Sequence, residues 1–220
     1  MVWDLRILRP TLVPKAVFNE GEKNPPKVAP GTYSVTLLAG GKALKQDLVV
    51  LPNPSVKLAP GDLQAQFDLL LAIRDRLSEL HLALLKSRDA RAQVKEAGER
   101  SLRLGRGPAV GEAARRLDAA LKAVEDLLTN PEIKAEEDDL NYEPKLDHDL
   151  TFLAGVVASA DAPPTRSSLE YYGILKGRTE QALAAFERLA SGELKAFNEL
   201  LAKEGLPTVL VAPRVDREVP

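Results

Sequence analysis

The sequence predicts an α+β chain: a small antiparallel β-sheet followed by a mostly antiparallel helical bundle built on one long helix. Three observations carry this. Apolar and polar residues alternate in the first part, the period of a half-buried strand. From residue 60 onward apolar residues recur at steps of three and four, the period of a helical face. Prolines and glycines then cut the second half into separate helices. The divisions expected are 1–58 for the β part, 59–207 for the bundle and 208–220 for a loosely attached tail.

Trp3, Leu5 and Ile7 alternate with Val2, Asp4 and Arg6, which predicts a first strand. Residues 9–30 hold five prolines, Pro10, Pro14, Pro25, Pro26 and Pro30, and read as a loop or edge segment. Tyr33, Val35 and Leu37 alternate with Thr32, Ser34 and Thr36, Gly40-Gly41 supplies a tight turn, and Leu44–Leu51 returns as the second arm of a hairpin. Three strands make a thin sheet. Either it lies against the helices or the rest of its sandwich is missing, and the second reading predicts apolar strand faces without a cover and an unpaired edge.

The long helix is predicted from Pro60 to about Leu104, with Asp62 as N-cap. Leu63, Phe67, Leu70, Ile73, Leu77, Leu80 and Leu84 draw its stripe, and Leu69, Leu71, Leu82 and Leu85 widen it. Gly98 marks a place to fray or bend, and Gly105, Gly107 and Pro108 an end. A second helix follows from Ala109 to Leu128, with Ala113, Leu117, Ala120, Leu121, Val124 and Leu128 apolar. An acidic loop separates it from a third, Lys145–Ser159, with Leu146, Leu150, Leu153 and Val157 on one side. Thr165 caps a fourth, Ser167 to about Ala190, whose expected core face is Leu169, Tyr172, Leu175, Leu183, Phe186 and Leu189. Ser191-Gly192 interrupts, and Glu193–Lys203 forms a short last helix with Leu194, Phe197, Leu200 and Leu201 apolar. Short loops predict antiparallel packing, with helices one, three and four sharing one core.

Composition narrows the function classes. The 220 residues carry a net charge of -2, which creates no field for nucleic acid or an anionic membrane. Aromatic residues are only 5%, too few for base or sugar platforms. Cysteine is absent, which removes disulfides, thiol catalysis and cysteine-ligated zinc. No stretch approaches the ~20 apolar residues of a membrane helix. The start, MVWDLRILRP, lacks the pattern of a signal peptide, so the chain is expected to begin inside a domain, with any export signal upstream.

Five stretches together resemble one family. They are VWDLR (Val2–Arg6), APGTYSVTLLAGGKALKQDLVVLPNPSV (Ala29–Val56), DLQAQFDLLLAIRDRLSELH (Asp62–His81), NYEPKLDHDLTFLAGVVASADAPPT (Asn141–Thr165) and LKAFNELLAKEGLP (Leu194–Pro207). In this order they are similar to the C-terminal region of the large bacterial sortilin-like, BNR-repeat (Asp-box) β-propeller proteins often labelled glycosyl hydrolases. The resemblance implies an immunoglobulin-like β-domain, here partial, and a closing helical domain. It also implies export to the periplasm or beyond. The propeller that carries the hydrolase label is absent from this chain, so that activity does not transfer.

The residues themselves offer little chemistry. His81 sits in the stripe of the long helix between Leu77 and Leu84, where a partly buried packing role with one hydrogen bond outweighs a ligand or base. His148 lies in Asp147-His148-Asp149, but neighbouring helix positions point to different sides and do not converge on one metal. Glu136-Glu137-Asp138-Asp139 lacks the spacing of an EF-hand and reads as a solvated loop. Arg88, Arg91, Arg100, Arg103 and Arg106 make a basic helix end that complements the helix dipole. No P-loop, Gly-x-Ser-x-Gly or His-Glu-x-x-His is present, Leu104-Gly-Arg-Gly-Pro108 follows a helix rather than a strand, and no carboxylate pair stands out. No catalytic, cofactor-binding or metal residue and no cofactor is therefore assigned. The expected function is a non-catalytic accessory module packing on other domains of a parent propeller protein or on a protein partner. Two alternatives stay open: a fragment of a glycoside-active enzyme, and a stand-alone dimerising scaffold.

Overall fold

The computed structural model describes residues 2–18, 24–106 and 108–211. Gly107 of the first interhelical turn, part of the proline-rich segment (19–23) and most of the tail (212–220) lie outside them. The chain is α+β. Its elements are β1 (Gly31–Ala39), β2 (Lys42–Val50), α1 (Asp62–Arg103), α2 (Pro108–Leu128), α3 (Leu146–Ala158), α4 (Arg166–Ser191) and α5 (Glu193–Lys203).

α1 runs 42 residues without a break, about 60 Å at 1.5 Å per residue. Residues 62–103 contain no proline and are rich in Leu, Ala, Arg, Gln and Glu, all strong helix formers. Asp62 is not the N-cap. Gly61 takes that position at φ 94°, and the Asp62 carboxylate accepts a 2.7 Å hydrogen bond from the Ala59 N–H just before the helix. The C-terminus closes as a Schellman turn: Gly105 sits at φ 63° and donates to the Leu102 carbonyl, and the Arg106 N–H reaches the Ser101 carbonyl at 3.0 Å. The helix does not fray at Gly98 but continues to Arg103. Gly98 is buried against α2, where a Cβ would stand 2.8 Å from the Ala114 Cβ, so the glycine permits a close helix crossing.

α2 is the most extensive partner of α1, and α3, α4 and α5 complete one continuous core. The shared core thus includes two helices beyond the three expected. Leu70, Ile73, Leu77, Leu80 and Leu84 are buried as their spacing predicts. The facing stripes of α2, α3 and α5 are buried in the same way at Leu117, Leu121, Leu150, Leu153, Phe197 and Leu201. On α4, Leu175 and Phe186 are buried as expected and Tyr172, Leu183 and Leu189 pack against the core, but the first turn differs. Thr165 caps it, accepting from the Ser168 N–H at 3.1 Å, and Ser168 turns inward with Leu175, Thr179, Ala182 and Phe186. Leu169 is left in solvent.

α1 and α2 are also tied by a polar network. Arg91 donates to Asp118 at 2.7 Å and to Glu125 at 2.8 Å, and the Ser87 hydroxyl donates to the other Glu125 oxygen at 2.8 Å. Arg91 is therefore one half of an interhelical lock rather than part of a free basic end. Arg100 and Arg103 pair along the helix with Glu96 and Glu99.

The β part differs from expectation. Among the described residues two strands form, antiparallel, with Gly31 opposite Val50 and Ala39 opposite Lys42. The first predicted strand shrinks to one bridge between Arg6 and Lys27, held by Val28 N–H to Leu5 C=O at 2.8 Å and Ile7 N–H to Pro26 C=O at 3.1 Å. Leu5 at φ 65° breaks its extended run, and Pro25, Pro26 and Pro30 on the opposing segment have no N–H to continue a ladder. The helical core takes in part of the segment assigned to the β region: Val13 is buried in it, with Leu12 and Ala16 against it. At the other end Val209 is buried, and Asn198 holds its backbone on both sides at 2.7 and 2.9 Å, so residues 208–211 are attached.

Candidate functional site

Two places carry polar or apolar groups beyond what the core needs. The first is a strap, Thr11–Phe18, laid across α1 and the start of α3. The Thr11 N–H donates to the Ser78 hydroxyl at 3.2 Å, and the Val13 N–H to Nδ1 of His81 at 2.9 Å. Phe18 is buried with its ring centroid 5.0 Å from that of His148 and 6.1 Å from that of His81. The only two histidines of the chain thus meet around one aromatic ring, although 66 positions separate them (148 minus 81, less one).

His81 is fully buried and accepts one hydrogen bond, which puts the ring proton on Nε2, where no partner stands among the described residues. Burial pushes its pKa down to about 4, with Arg88 and His148 adding to the shift and Asp147 opposing it. At neutral pH it is an uncharged acceptor that fixes the strap. This is the packing role expected, with burial complete rather than partial. His148 makes a 3.4 Å contact from Nδ1 to the Asp147 carboxylate. Asp147 and His148 line a cavity of about 380 Å³ with Arg88, Thr129 and strap residues 13–17.

The other sequence candidates separate. Asp149 faces Tyr171 and Arg178 of α4, a phenol and a guanidinium, and also feels the Asp147 carboxylate. Burial raises its pKa, and the Arg178 charge and the Tyr171 hydrogen bond oppose that rise. In the acidic run, Asp138 accepts from the backbone N–H groups of Lys134 and Ala135 at 2.8 Å each and closes a turn of 3-10 helix, Asp138–Leu140. Those two donors hold its carboxyl below the usual range. Among the described residues no three His, Asp or Glu side chains gather as metal ligands, and no helix is long and apolar enough to cross a membrane.

The second place is the hairpin. The register puts Tyr33, Val35, Leu37, Leu44 and Leu48 on one face. Neither strand packs extensively on any helix. Val35 is 48% exposed, Leu37 59%, Leu44 65% and Leu48 38%. The opposite face is mixed, with Thr32, Ser34, Thr36, Lys45 and Asp47 beside Leu38, Ala43 and Val49. Trp3 packs its ring edge-on to Tyr33 at 5.9 Å and leaves the rest of the apolar face open. At the base, a groove of about 310 Å³ parts the hairpin from α1. Leu63 and Phe67 face this groove, which explains why the start of the helical stripe is only half-buried.

No family model, curated protein or solved structure matches the chain. The two places must therefore be read from their own geometry. Sequence reasoning found the apolar hairpin face but missed the strap. The one available signal was Phe18, a large aromatic inside a proline-rich loop, where an apolar anchor is needed only if the loop crosses a core.

Proposed function

We propose that the chain is a non-catalytic docking module, with the helical body as its base and the hairpin as the surface it offers to a protein partner or to another domain of a larger protein. The observation behind this is the hairpin's apolar face. Side chains of Leu and Val size gain about 1.5–3 kcal/mol each on full burial, and here several stand in water on a two-stranded ribbon, a structure with little stability of its own. Such a face is consistent with one side of an interface. The polar groups favour the same reading, since His81 is sealed, Asp138 closes a turn and Asp149 is engaged by Arg178 and Tyr171. The resemblance to sortilin-like propeller proteins agrees with it, because there a β-domain and a helical domain follow a propeller. Export to the periplasm or beyond belongs to the same proposal.

A panel of nitrophenyl glycosides tests the non-catalytic part. No turnover is expected, and turnover abolished by Asp147→Asn or Asp149→Asn would overturn it. Light scattering over a concentration series tests the scaffold alternative, with a monomer expected throughout. A dimer lost in the Leu37→Ser/Leu44→Ser variant would replace the docking module by a self-associating one.

A further inference from the structure

We propose that β1, and not β2, is the edge along which a partner adds a β-strand. This rests on the docking reading and names the partner: a β-sheet protein whose marginal strand is uncharged and apolar on alternate residues. Gly40 and Gly41 lie at φ 55° and 74°, the two positive values of a type I′ two-residue turn. In that hairpin the closing pair, Ala39 and Lys42, exchanges hydrogen bonds, and so does every second pair after it. Thr32, Ser34, Thr36 and Leu38 therefore turn their N–H and C=O groups outward on β1.

The two edges differ in charge. β1 has no charged residue along its length, and its outward positions hold β-compatible threonines. The outward positions of β2 include Lys45 and Asp47. Edge charges are what deter a foreign strand. A second copy of this chain is a poor occupant. Pairing β1 antiparallel to itself about Val35 would join the edges and leave twice the apolar face in water. A partner's sheet can extend β1 and cover Leu37 and Leu44 together, which is strand addition with side-chain pockets.

The test uses the full chain and a synthetic eight-residue peptide of alternating Val and Thr. N-methylation of every second residue leaves that peptide one bonding edge and prevents self-stacking. Amide exchange followed by NMR is expected to slow by about tenfold at Thr32, Ser34, Thr36 and Leu38 on saturation, with no change at Lys45 or Asp47. Thr36→Pro removes an outward N–H without touching the β1–β2 ladder and is expected to abolish the effect. A peptide methylated on every residue is expected to have none. Protection along β2, or none on either strand while Tyr33 and Leu44 side-chain signals still shift, overturns the edge assignment and leaves the docking reading standing. No change anywhere on the hairpin overturns both.

Discussion

The helical body and the hairpin obey the same patterning rule with opposite outcomes. On α1, Leu80 and Leu84 lie on the apolar stripe and have no exposed surface. On β1 and β2, Leu37 and Leu44 lie on an equally regular apolar face and are more than half exposed. Periodicity states which side of an element is apolar. Whether anything covers that side depends on what else is present, and among the described residues five α-helices serve one region and no second layer serves the other.

The sharpest way to break this comparison is to truncate the same side chain in each region. Leu80→Ala removes buried atoms at the centre of the core and is expected to cost about 2–5 kcal/mol, read as a lower urea midpoint with an unchanged slope. A cost below about 1 kcal/mol would mean that α1 is far less tightly covered than its burial indicates.

The strap lies on the helical body, and its anchor titrates. His81 has an ordinary pKa of 6.5, lowered in the fold to about 4 because burial disfavours the charged ring. Between these values the unfolded chain binds the extra proton and the folded chain does not, so stability rises with pH across that window. The contribution is complete above about 6.5 and lost progressively down to about 4, roughly 3 kcal/mol in all. His81→Asn keeps an acceptor near the Val13 N–H but cannot titrate there. Urea midpoints at pH 4.5 and 7.5 are expected to differ less in that variant than in the native chain. Equal differences would assign the acid sensitivity to other groups.

The helices were legible because their signals are local. Thr165 after two prolines caps α4 as read, and Glu193–Lys203 forms the last helix with the predicted bounds. The hairpin was legible because Gly40-Gly41 fixes its turn and hence its register. The failures are all questions of what lies opposite. Trp3, Leu5 and Ile7 have strand alternation, but the segment facing them is rich in proline. Gly98 reads as a helix breaker until Ala114 is seen against it. Leu169 fits the apolar count, yet the cap at Thr165 turns Ser168 inward in its place. The meeting of His81 and His148 around Phe18 depends on three distant segments and has no local signature.

The smallest expected effect is also the most diagnostic. Leu37 and Leu44 face each other across the hairpin, and replacing both by threonine puts β-branched, strand-compatible residues there while removing the two most exposed leucines of the apolar face. Because both side chains are more than half exposed, the urea midpoint is expected to move by less than about 0.5 kcal/mol equivalent. The same variant is expected to bind much less of a dye that reports exposed apolar surface. A core substitution would do the reverse, lowering stability and increasing dye binding as the fold loosens. If the double threonine variant instead lost several kcal/mol, the hairpin face would be a structural part of this chain's own core, and its availability to a partner would have to be abandoned.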